Sequence, residues 1–122
     1  MANIPFPELQ AVISEAAFLT APEKEITFKA MFGGAGVYVD GIILATLSNV
    51  GIGLKLSPSH QDELLAQAGA KRLQYDESMP PSKSYIQPPG SMQSNAIELA
   101  KWVAYSIEFV ISLPPPKNKK RK

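Results

Sequence analysis

The stretch Met31–Gly41, MFGGAGVYVDG, constrains this chain more than any other. Three glycines within four positions (Gly33, Gly34, Gly36) mark a place where the backbone needs a shape or a close approach that a Cβ would forbid. Val37 and Val39 then alternate around Tyr38, and Asp40-Gly41 follows. An Asp-Gly pair between apolar runs is a strong hairpin signal, because both turn residues tolerate positive φ. A GGAG run also suggests a phosphate loop. That motif needs a strand before it and a helix after it, with the helix N-terminus facing the phosphate. Here the next element reads as a hairpin and no GK[ST] is present, so the glycines read instead as a bulge or a tight strand crossing.

The rest of the chain arranges itself around that hairpin. PELQAVISEAAFL, residues 7–19, predicts a helix with Pro7 in its first turn and Leu9, Val12, Ile13 and Ala16 on one face. Residues 26–32 alternate as a strand, Ile26, Phe28 and Ala30 opposing Thr27 and Lys29. Val37–Val39 and Ile42–Leu47 flank the Asp-Gly turn, and a second turn at Asn49–Gly51 leads into Ile52–Leu56. Ser57-Pro58 starts a second helix that runs to about Ala68, with Gly69 as its stop. Arg72–Tyr75 and Lys83–Gln87 are short strand candidates. A last helix, capped by Ser91 or Ser94, runs to about Leu113. It carries a stripe of Leu99, Val103, Ile107 and Val110, and a second stripe of Trp102, Phe109 and Leu113. The expectation is an α+β two-layer domain over residues 1–113. Its antiparallel sheet has about five strands, and its helices lie at the N-terminus, the middle and the C-terminus. A basic tail without fixed structure follows over 114–122.

Composition narrows the function. With no cysteine among 122 residues, thiolate metal sites, iron–sulfur clusters and a cysteine nucleophile are excluded. His60 is the sole histidine and reads as a solvated helix residue, and no carboxylates pair as an acid and base. No catalytic, cofactor-binding or metal-ligating set is assigned. No secretory leader or membrane-length apolar run is visible, which makes the cytoplasm the default location. The net charge of +1 hides an asymmetry. Five of the 12 basic residues (Lys117, Lys119, Lys120, Arg121, Lys122) lie in the tail, leaving seven basic against 11 acidic before it. Nucleic-acid contact through the tail is one reading, a solubilising terminus another. Trp102, Phe109 and Leu113 are candidates for a protein or homo-oligomer interface. Tyr38, Tyr85 and Lys55 are candidates to line a small-ligand cleft beside Gly33–Gly36.

The run Met31-Phe32-Gly33-Gly34-Ala35-Gly36-Val37-Tyr38, closed by Asp40-Gly41, resembles the signature of the TfoX N-terminal domain family. Leu54-Lys55-Leu56, Ser84-Tyr85 after a Pro-rich loop, and a last helix with Trp102 follow in the family's order, so the resemblance covers roughly residues 9 to 112. It implies a two-layer α+β domain with an antiparallel sheet. The bacterial competence regulators that name the family (TfoX, also called Sxy) act as coactivators with the cAMP receptor protein and carry a second, helical domain, whereas this chain ends after the first domain and a tail. The expectation is therefore a non-enzymatic regulatory adaptor with a protein partner such as a transcription regulator. The ligand-binding or enzymatic cleft and the nucleic-acid-binding tail remain as alternatives.

Overall fold

The computed structural model describes residues 6–31, 34–74 and 78–113. Helix α1 (Pro7–Thr20) leads into four consecutive strands, β1 (Ile26–Met31), β2 (Gly34–Val39), β3 (Ile42–Ser48) and β4 (Gly51–Lys55). Helix α2 (Pro58–Leu65), strands β5 (Lys71–Arg72) and β6 (Tyr85–Gln87), a 3-10 turn at Met92–Ser94 and helix α3 (Ala96–Ser112) complete the chain. All described strand pairs are antiparallel, in the order β1-β2-β3-β4-β6-β5. The α+β architecture stands, with six strands where about five were expected.

The hairpin forms as its sequence dictates. Asp40 and Gly41 both have positive φ, 49° and 86°. Asp40 does more than turn the chain, since its Oδ1 accepts from Glu25 N at 3.0 Å and its backbone N–H donates to the Glu25 carbonyl at 2.9 Å. The turn is thereby fastened to the start of β1. Across β2 and β3 the register slips by one residue between Val37 and Tyr38, which leaves Leu44 as the extra residue of a bulge.

Strand alternation divides the sheet into two faces. Ala35, Val37 and Val39, Leu44, Ala45 and Leu47, Ile52 and Leu54, and Ile86 point to the helix side. There they meet Ile13, Ala16 and Ala17 of α1 and Leu99, Val103, Ile107 and Val110 of α3 in one core. Two helix boundaries differ from expectation. α2 stops at Leu65, about one helical turn short of a left-handed Gly69 (φ 92°), because the Gln67 and Ala70 N–H groups fold back to Leu64 and Gln67 in a run of turns. α3 is capped by Asn95, whose Oδ1 accepts from Ile97 N and Glu98 N. Ser94 lies one residue too early to cap α3, inside the preceding 3-10 turn, where its hydroxyl donates to the Ser91 carbonyl.

Candidate functional site

The sheet face turned away from the helices carries the sequence's distinctive residues. Lys29, Gly36, Thr46 and Gly53 lie side by side across β1 to β4, and the Leu54–Ile86 pairing brings Gln87 next to Gly53. Small side chains here have steric reasons. A Cβ on Gly34 would run into the Leu47 carbonyl oxygen, and one on Gly53 would lie 2.7 Å from Leu73 Cδ2. The glycines therefore admit a close strand approach and a leucine lid, and Gly34 and Gly36 lie within a strand rather than in a loop before a helix. Phe32 and Gly33 are outside the described residues.

Of the three cleft candidates, Lys55 and Tyr85 are directly paired on β4 and β6. Tyr38 shares their face but stands on β2, where Lys29 Nζ sits 5.0 Å from its ring centroid. Between them Thr46 Oγ1 and Gln87 Oε1 are buried with no hydrogen-bond partner. The Gln87 amide uses its other end to donate to the Val50 carbonyl.

The helix layer distributes the proposed interface residues unequally. Trp102 is 3% exposed and belongs to the core, edge-on to Tyr105 at 5.4 Å, with Lys101 Nζ 4.9 Å from its ring. Phe109 is half-buried against the core, and Leu113 is exposed. A groove of about 370 Å³ opens on this side between the end of α1 with the loop that follows it and the C-terminal half of α3. Thr20, Ala21, Ala104, Ile107 and Ile111 form its apolar parts, and Glu23, Lys24 and Glu108 its charged ones. Leu19 and Ile111 are exposed at the same helix ends. The basic residues Lys117, Lys119, Lys120, Arg121 and Lys122 lie outside the described residues.

Several structural residues escaped the sequence reading. His60 is half-buried rather than solvated. Its ring stacks on Tyr105 at 3.7 Å and 6°, so that α2 is held to α3. Gln61 bridges α2 to the sheet, donating to the Leu56 carbonyl at 2.9 Å and accepting from Arg72 Nη1 at 2.9 Å. Ser106 is fully buried, its Oγ 2.9 Å from the Leu44 carbonyl and 2.8 Å from that of Lys55. A serine set beside Val103 and Ile107 inside an apolar stripe was the available signal for that last contact. Among the described residues no group of three His, Asp or Glu side chains is placed to hold a metal ion. No helix among them is long and apolar enough to cross a membrane.

Fold and surface together define a small two-layer α+β domain, with a six-stranded antiparallel sheet backed by helices and a groove between two of them. The model of the TfoX N-terminal domain matches residues 19–110, and the chain belongs to that family. No curated protein and no solved structure matches it.

Proposed function

We propose that the protein is a non-enzymatic regulatory adaptor of the cytoplasm, which docks a protein segment in the groove between α1 and α3. The observation that carries this reading is the groove itself. Ala21, Ala104, Ile107 and the exposed Ile111 give it an apolar lining, and Leu19 stands exposed near the end of α1. With Lys24 turned toward Asp40 at 3.7 Å, Glu23 and Glu108 leave its rim acidic. A helix presenting an apolar ridge with basic flanks suits such a surface, since apolar burial supplies affinity and the acidic rim steers approach. The partner class in this proposal is a transcription regulator, by analogy with the competence regulators that name the family. The test is capture of partners from cells that make the protein, using wild type and a Leu19→Glu/Ile111→Glu variant. Retention by wild type alone, with an unchanged thermal melt for both, is the expected outcome. Identical partners for both proteins would refute it.

A second reading, a small-ligand domain, draws on the buried unpartnered Thr46 Oγ1 and Gln87 Oε1 under Leu73. A metabolite and nucleotide thermal-shift screen separates the two. A stabiliser whose effect disappears in Thr46→Val supports the ligand site, and none across a broad library removes it.

A further inference from the structure

The sheet has two unlike edges. β5 is two residues long and both are basic, Lys71 and Arg72, which blunts pairing with another chain. β1 is six residues, Ile26–Met31, and no described residue pairs with its outer side. The backbone bond from Asp40 to Glu25 fixes which groups face outward. It makes Glu25 and Asp40 a hydrogen-bonded pair, so by alternation Thr27, Lys29 and Met31 address β2, whereas Ile26, Phe28 and Ala30 turn their N–H and C=O groups away from it.

A helix flank overhangs this edge. Pro7, Gln10, Ser14 and Phe18 recur at helical spacing along α1, and none is charged. Ser14 and Phe18 line a hollow of about 230 Å³ together with Ile26, which places the C-terminal end of that flank beside the start of β1. Phe18 is 67% exposed. Lys24, the charge in the hollow, is turned toward Asp40 at 3.7 Å.

We propose that this helix-over-strand wall is a homodimer interface. β1 pairs antiparallel with β1 of a second copy about a two-fold axis through Phe28, and α1 packs beside the second copy's α1. The register follows from the outward groups. Phe28 faces Phe28 of the second copy and Ile26 faces its Ala30, which uses every outward donor and acceptor from residues 26, 28 and 30. Lys29 falls opposite Thr27, so like charges are not apposed, and the two Phe28 rings meet on the helix side of the joined sheet. An extended peptide would satisfy the strand alone and leave Phe18 in water. A second copy covers strand and helix together, and so is the occupant that fits. The strand and the helix each run about 20 Å, and two layers of about 10 Å give a wall of at most about 400 Å² in projection per copy. Both copies together contribute about 800 Å², below the roughly 1,200 Å² at which stable interfaces begin, which implies a weak dimer that dissociates on dilution.

Sedimentation equilibrium over a concentration series tests this. Wild type is expected to shift from the chain mass to twice that mass. Ala30→Pro removes an outward N–H that the β1–β2 ladder does not use, and Ser14→Glu places like charges across the two-fold. Each is expected to weaken association at least about tenfold with an unchanged circular dichroism spectrum. Single cysteines give an independent reading in this cysteine-free chain. Phe28→Cys places two Cα atoms about 5.5 Å apart and is expected to form a disulfide-linked dimer on mild oxidation, whereas Thr27→Cys, offset along the strand, is not. A wild type that stays monomeric at several hundred micromolar, a fully dimeric folded Ala30→Pro, or equal cross-linking of both cysteine variants overturns the proposal.

Discussion

Replacing Ser106 by alanine isolates the contact that joins α3 to the bulged strand. Ser106 and Leu44 are both fully buried, and the bulge at Leu44 turns that carbonyl toward the helix rather than along a regular ladder. The Ser106 hydroxyl has one proton to give, at 2.9 Å from the Leu44 oxygen and 2.8 Å from the Lys55 oxygen. Ser106→Ala deletes one oxygen, so the cavity left is smaller than a methylene and the cost is chiefly that of a buried carbonyl losing its donor. Such a group costs about 1–3 kcal/mol, and the partial exposure around Lys55 favours the lower half, about 1–2 kcal/mol. With an unfolding entropy of about 2.1 cal/mol/K per residue, this amounts to a Tm lowered by about 4–8 °C. Urea melts followed by circular dichroism should show a lower midpoint at unchanged slope. Ser112→Ala is the control, since that hydroxyl makes a similar 2.8 Å bond to the Phe109 carbonyl but in solvent. A Ser106→Ala loss no larger than the control's, under about 0.5 kcal/mol, would refute the reasoning.

Other substitutions probe the glycine strand and the helix junctions. Gly34→Ala drives a Cβ into the Leu47 carbonyl and is expected to cost about 2–3 kcal/mol in a chemical melt. Gly90→Ala meets nothing within 4 Å and is expected to be neutral or stabilising by up to about 1 kcal/mol. Asn95→Ala removes the acceptor for Ile97 N and Glu98 N, and should lower stability by about 0.5–2 kcal/mol with a small loss of helical signal. Gln61→Ala strips a donor from the Leu56 carbonyl and an acceptor from Arg72, an expected loss of about 1–3 kcal/mol measurable in the same melts.

What the residues alone determined was local and periodic. Asp40-Gly41 specified its turn through positive φ, the 3.6-residue stripe of α3 specified which face is buried, and alternation in β1 to β4 specified an antiparallel meander. The family signature in Met31–Tyr38 was likewise legible, because it is a string of adjacent residues. Tertiary structure decided what depends on contacts between distant segments. Gly34 is glycine because the Leu47 carbonyl, on the next strand, approaches it. The second-stripe aromatic Trp102 turned inward because Tyr105 and the core enclose it, which helical spacing alone cannot distinguish from an exposed stripe. His60 left solvent because α3 brings Tyr105 beneath its ring, and Ser106 found its partners 62 and 51 residues away. The groove between α1 and α3 and the free edge of β1 have no sequence signal of their own. Each arises where two elements meet or where a sheet stops, and only the assembled layers fix those places.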